Sequence, residues 1–209
     1  VQPFIDKGQK VFVVVSDALR YEAAAELVAR IQSENRWTAQ LDSVLGSLPS
    51  YTQLGMASLL PGKERTIQPA DGTVLVDGKA ATGTEGRRQI LAAAVGGRAT
   101  ATQAETFLEM NTKTEARALM RDHDVIYIFH NTIDKVGDSP ATEVKTAEAV
   151  VTALQELMQI LRKIANANGN KIDVFLQREI HYEATVDPDS GALQATATVT
   201  LLNHAVDDP

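Results

Sequence analysis

Three polar clusters hold the side chains that could do chemistry. The first, Ser16-Asp17, follows the apolar run Val11–Val15, and the last, running from His130 to Asp138, follows Asp124–Phe129. A carboxylate at the end of a buried strand suits a hard cation, which takes oxygen donors. His130, Asn131, Asp134 and Asp138 together combine imidazole and carboxylate, a mixture that suits zinc or manganese. The middle cluster, Ser47 to Thr52, brings hydroxyls to the start of an expected short helix. Free N–H groups and the helix dipole favour an anion such as phosphate there, and a metal can activate a Thr hydroxyl as a nucleophile. Each cluster also has a plainer reading: Asp17 and Asp138 as helix caps, and the hydroxyls as an N-cap and turn formers. His123, His181 and His204 stand apart and read as structural or exposed. Arg20, Lys79, Arg87 and Arg88 are candidates for phosphate contact, although isolated basic residues are commonly solvated surface.

Ligands of open α/β sheets sit at the carboxyl ends of the strands, so these clusters need a sheet behind them. Lys10–Ser16 reads as a strand buried on both faces and Arg20–Ser33 as a helix. Thr38–Leu45 reads as a weaker strand, and about Thr52 to Leu60 as a short helix ended by Pro61-Gly62. Thr73–Val76 and Ala99–Gln103 are further expected strands, with the helix Thr84–Val95 between them and Thr84 as its N-cap. Thr112–Asp122 reads as a polar helix, Asp124–Phe129 as a strong buried strand, Ala141 to about Ala167 as the longest helix, and Ile172–Leu176 as another strand. This order predicts an α/β domain with a mostly parallel sheet. After about Gln177 the pattern alternates, with His181–Val186 and Ala192–Leu202 flanking the turn formers Asp187 to Gly191, which predicts a C-terminal antiparallel β-hairpin. The expected division is therefore a core over 1–177 and a hairpin, or the start of a further domain, over 178–209.

The 209 residues suffice for one sizeable domain, and 44% hydrophobic with 22% charged residues is an ordinary globular balance that excludes wholesale disorder. No apolar run approaches the roughly 18 to 20 residues of a membrane span. Without cysteine there is no disulfide, zinc–thiolate site or Cys nucleophile, which fits a reducing compartment. The net charge of −7, from 20 basic and 27 acidic residues, argues against broad adhesion to nucleic acid. No signal peptide is recognisable, and a start without Met is expected of an excised fragment. Asp17-Ala-Leu-Arg20 follows the first strand in place of a G-x-G-x-x-G turn, which argues against a Rossmann-type nucleotide binder.

Four separated segments, VFVVVSDALRYE (Val11–Glu22), SLPSYTQLGMASLLPG (Ser47–Gly62), VDGKAATGTEGRRQIL (Val76–Leu91) and DVIYIFHNTIDKVGD (Asp124–Asp138), together resemble the PglZ domain. That domain is a branch of the alkaline phosphatase superfamily found in BREX bacteriophage-defence systems, and the similarity covers roughly the first 175 residues. The resemblance implies a three-layer alkaline-phosphatase-like core and a metal-dependent phosphoryl-transfer hydrolase (phosphodiesterase, nuclease or phosphatase). It implies two divalent ions, zinc or manganese, about 4 Å apart. Asp17 matches the first metal-binding aspartate and Thr52 the nucleophile. Asp134 falls on the aspartate of a metal-binding D-x-x-G-H pattern, in which Asp138 stands here where a His is usual. His130 is a candidate to compensate, and Arg20 and Asn131 are candidate substrate contacts. The resemblance further implies cytoplasmic work with other BREX proteins on a phosphodiester or nucleic acid, away from membranes. One departure is an Asp-His pair that the superfamily carries after the strand matching Ile172–Phe175; here the chain runs directly into LQREIHYE. Either a segment is missing between Phe175 and Leu176 or one metal site is lost. The second alternative leads to a catalytically impaired module that binds or assembles within a defence complex.

Overall fold

The computed structural model describes residues 1–34, 37–138, 140–167, 176–186 and 193–203. The chain divides into two compact units, Val1–Ala167 and Asn168–Pro209. After a short helix α1 (Gln2–Ile5), the larger unit is organised by a parallel sheet in the order β1-β6-β5, where β1 is Val11–Ser16, β6 is Val125–His130 and β5 is Ala99–Gln103.

Alternation along β6 decides the layers, because successive side chains on a strand point to opposite faces. Val125, Tyr127 and Phe129 pack with Val15, with Leu54 and Met56 of α3 (Thr52–Ser58), and with Ile90 and Leu91 of α4 (Gly83–Val95). Ile126 and Ile128 pack on the other side with Phe107 of α5 (Ala104–Glu109), Met120 of α6 (Glu115–Asp122) and Ile160 of α8 (Thr146–Ala167). Both faces of β6 are therefore dry, which is why its sequence is an unbroken apolar run. On α8 also pack α2 (Tyr21–Ser33) and α7 (Thr132–Gly137), the two helices that follow the carboxyl ends of β1 and β6.

Several expectations need correction. β1 is less buried than its Val run suggests: among the described residues it pairs only with β6, and Val14 is 37% exposed. Thr38–Leu45 is not a strand; it has no ladder partner, and Val44 and Leu45 point into solvent. Thr73–Val76 does give β3 (Val74–Val76), but in a separate antiparallel sheet with β2 (Arg65–Ile67) and β4 (Lys79–Ala80). Tight reversals at both ends of β3 cause this. Asp71 accepts bonds from the Thr73 N–H (3.0 Å) and hydroxyl (2.8 Å) before it, and Asp77-Gly78, both at positive φ, turn the chain after it. Thr84 is not the cap of α4; Thr82 holds that position without a side-chain bond, and the Thr84 hydroxyl instead accepts from Gln103 Nε2 at 2.6 Å. The helix expected from Thr112 begins at Glu115, because the Asn111 side chain takes the Lys113 and Thr114 amides into a turn (2.9 and 3.2 Å). A 3-10 turn (Glu143–Lys145) precedes α8, so the longest helix starts at Thr146.

The start of α4 is pressed against β4. A Cβ placed on Gly86 would meet the Ala80 carbonyl oxygen at 2.5 Å, backbone against backbone. Ala is ordinarily favoured over Gly in a helix by about 1 kcal/mol, but forced overpacking costs about 1–3 kcal/mol. Gly86→Ala is therefore expected to lower rather than raise the melting temperature.

In the smaller unit β7 (Leu176–Val186) and β8 (Leu193–Asn203) pair antiparallel, from Leu176 opposite Asn203 to Val186 opposite Leu193. The turn expected at Asp187 to Gly191, most of the strand expected at Ile172–Leu176, and His204 lie outside the described residues. Leu176 itself belongs to β7.

Candidate functional site

The site begins where β1 ends. The Asp17 N–H donates to the His130 carbonyl at 2.9 Å, extending the β1–β6 ladder one residue beyond Ser16. Ala18 then adopts a left-handed backbone (φ 59), uncommon for a residue with a Cβ, and its N–H donates to Asp17 Oδ1 at 3.0 Å. This turn fixes the direction of the Asp17 carboxylate before α2 begins.

Two cavities flank the turn. One, of about 570 Å³, is lined by Ser16, Asp17, Ser47, Ser50, Tyr51 and Thr52, among others. The other, of about 790 Å³, is lined by Ala18, Arg20, Glu22, Asp134, Asp138 and Glu143, among others. Asp17 and Thr52 thus share one cavity, while Arg20, Asp134 and Asp138 share its neighbour. Thr52 is the first residue of α3 and is exposed; the cap position is held by Tyr51 without a side-chain bond. Asp138 is exposed and closes α7 as its C-cap.

The two cavities are electrically linked. Burial lifts the Asp17 carboxyl above its ordinary value, and the Asp134 charge lifts it further, while the Ala18 N–H and the Arg87 guanidinium pull it back. A partly buried carboxylate beside a second negative charge is an environment that a hard divalent cation relieves. Among the described residues, however, no group of three or more His, Asp and Glu side chains converges as a metal cluster. Asp17 and Asp134 are the oxygen donors that an oxygen-seeking ion would meet here, and among the described residues no third carboxylate or imidazole gathers with them.

His130 occupies a different place from the one expected of a ligand. Its ring is 2% exposed, with Nδ1 2.8 Å from the Ser16 hydroxyl and Nε2 2.9 Å from Glu156 Oε2. The Thr132 hydroxyl donates to the same Glu156 oxygen at 2.6 Å. With a carboxylate at Glu156, which can only accept, it is Nε2–H that donates to it. Both ring nitrogens are engaged within the protein, so His130 joins β1, β6 and α8 and does not face either cavity. Asn131, at the N-cap position of α7, is exposed and lines neither cavity. His123 is structural: its ring bonds the Leu119 carbonyl at 2.9 Å, and its own carbonyl accepts from Lys10. Glu156 escaped the sequence reading. Its only trace there is a carboxylate set between the buried Leu154 and Leu157 of α8.

Residues 1–176 match the family described as the BREX system PglZ alkaline phosphatase-like domain. The chain belongs to the PglZ family. Among curated relatives, this PglZ domain is 42% identical over 200 residues to the alkaline phosphatase-like protein BrxZ of Escherichia coli O9:H4 (strain HS), covering 94% of this chain and 23% of the relative. It is 39% identical over 166 residues to the alkaline phosphatase-like protein PglZ of Bacillus cereus (strain H3081.97), covering 79% of this chain and 19% of the relative. The chain therefore spans about a quarter or less of the relatives it matches. No solved structure matches it. Among the described residues of the PglZ domain, no helix is long and apolar enough to cross a membrane.

Proposed function

We propose that this PglZ domain is the hydrolytic part of a larger BREX defence protein and transfers a phosphoryl group to Thr52. The observation that carries this reading is the shared cavity of Thr52 and Asp17, with the Asp134 charge acting on Asp17 from the adjoining cavity. A divalent cation such as zinc or manganese, when bound by Asp17 and Asp134 with Asp138 nearby, supplies positive charge that lowers the pKa of a coordinated hydroxyl and neutralises phosphate oxygens. The chain's own residues do the rest. Thr52 Oγ gives up its proton to solvent and forms a bond to phosphorus as the bond from phosphorus to the leaving oxygen breaks, and the leaving oxygen takes a proton from solvent. Arg20 approaches the phosphoryl oxygens from the neighbouring cavity. Water then cleaves the phosphothreonine and restores the hydroxyl. The expected substrates are phosphodiesters, nucleic acid included, or phosphomonoesters; the expected setting is the cytoplasm, with other BREX proteins as partners.

Thr52→Ala in the full-length protein is expected to cut hydrolysis of bis(4-nitrophenyl) phosphate by on the order of 10³-fold or more. Cation binding should persist in the variant, as read by a rise in melting temperature when manganese is added. Turnover at the wild-type rate would refute Thr52 as the nucleophile. The absence of a three-ligand cluster among the described residues favours a second reading, a module that keeps the fold and serves assembly. Calorimetric titration with zinc and manganese separates the two, since the assembly module binds neither tightly.

A further inference from the structure

Among the four basic side chains that the sequence offers for phosphate contact, the structure distinguishes Arg87. Arg88 donates to Glu85 (2.6 Å) and to the Ala101 carbonyl (3.0 Å), and Lys79 is exposed on β4. Arg20 is exposed on the wall of the Asp134 cavity. Arg87 is half-buried in the first turns of α4, where its Nε donates to the Ala81 carbonyl at 3.2 Å and its guanidinium carbon lies 4.3 Å over the Phe129 ring. Both contacts use the inner edge and one face of the guanidinium. Its two terminal nitrogens donate to no protein acceptor among the described residues.

Arg87 lines neither cavity, and it meets the carboxyl end of the sheet through Phe129. Phe129 lies opposite Val15 in the β1–β6 register, two residues before Asp17, and is 3% exposed. The close approach of Gly86 to the Ala80 carbonyl holds the α4 turn that carries Arg87 against β4. Arg87 and Asp17 feel each other's charge without sharing a hydrogen bond. A planar guanidinium stacked on an aromatic face, with two N–H ends free, is preorganised for the paired oxygens of a phosphate. Holding a cation half-buried with unused donors has a desolvation cost that an anion bound there would offset.

We propose that Arg87 is a phosphate ligand of the Thr52–Asp17 site, reaching the substrate from the α4 side and setting its preference for tetrahedral oxyanions. This deepens the hydrolase reading above and rests on it for the identity of the substrate, although phosphate binding itself requires no turnover.

The test uses the full-length protein with inorganic phosphate as the probe. On the wild type, phenylglyoxal labelling mapped by mass spectrometry should modify Arg87 without phosphate and spare it at saturating phosphate, with Arg88 labelled equally in both. Arg87→Gln is expected to weaken phosphate binding roughly 10- to 100-fold by calorimetry, and Arg87→Lys to recover only part of the loss because a single ammonium cannot make the paired contact. The manganese-induced rise in melting temperature should be the same in both variants as in the wild type. Unchanged Arg87 labelling under saturating phosphate overturns the proposal, even if the variants fail to fold. Phosphate affinity in Arg87→Gln equal to that of the wild type overturns it as well. Should Thr52→Ala retain turnover while phosphate still protects Arg87, the nucleophile assignment fails and the anion site stands.

Discussion

Asp17→Asn is expected to yield a protein that melts slightly higher than the wild type in the absence of divalent cations and hydrolyses phosphodiesters on the order of 10³-fold more slowly. The stability gain has a clear source. Burial and the neighbouring Asp134 charge disfavour the ionised Asp17 carboxyl, and an amide removes that penalty while keeping an oxygen to accept the Ala18 N–H. Because the side chain is only partly buried, solvent screens the repulsion and keeps the gain below about 1 kcal/mol, or at most about 2–4 °C for a chain of this size. The sign with pH follows from the direction of the shift. A carboxyl held above its ordinary value of 3.8 takes up protons more readily when folded, so the wild type loses stability as pH rises from 3.8 through the folded value. The variant lacks this loss, so the two melting curves should converge near about pH 3 and differ fully at neutral pH. Manganese reverses the ranking: at a concentration 100-fold above its dissociation constant it stabilises the wild type by about 2.7 kcal/mol and leaves Asp17→Asn nearly unmoved. Thermal melts at two pH values, with and without the cation, check every part of this. An unchanged response to manganese in Asp17→Asn removes Asp17 from the cation site.

The same residues explain how far the sequence could be read. β5 and β6 were legible because a parallel sheet covered on both faces demands consecutive apolar or small residues, and β1 because a run of Val and Phe favours a strand even where it is only partly covered. Asp17 and Thr52 were legible because their positions at a strand end and a helix start are local facts. Thr38–Leu45 was misread because a strand-like run of residues does not by itself make a strand; a ladder partner is a tertiary fact. The small sheet β2-β3-β4 carried a local signal, since Asp77-Gly78 directly after Val74-Leu75-Val76 is a strong hairpin mark. The role of His130 was illegible for a deeper reason. A His beside two aspartates reads as a ligand, and only the fold brings Glu156, 26 residues away on α8, to its Nε2. Sequence proximity and spatial proximity gave different partners to the same ring.

That difference makes His130→Ala the most discriminating substitution in the core. The side chain is 2% exposed and bridges Ser16 and Glu156. Its removal opens a cavity and leaves a half-buried hydroxyl and a half-buried carboxylate without their partner, each at about 1–3 kcal/mol at most. Thr132 still donates to Glu156, which limits the carboxylate's share. The expected loss is about 2–4 kcal/mol, or roughly 5–15 °C in melting temperature. Glu156→Ala should cost less alone, and the double variant should cost less than the two single losses added, because both break one network; a coupling of about 1–2 kcal/mol is expected. A cation ligand would behave in the opposite way. Its removal would abolish the manganese-induced rise in melting temperature while lowering the cation-free melting point little, and it would show no coupling to Glu156. Because the geometry engages both ring nitrogens inside the protein, the destabilised His130→Ala protein should still respond to manganese. Its residual activity should follow how well Ser16, now without its partner, still holds the adjoining Asp17 in place.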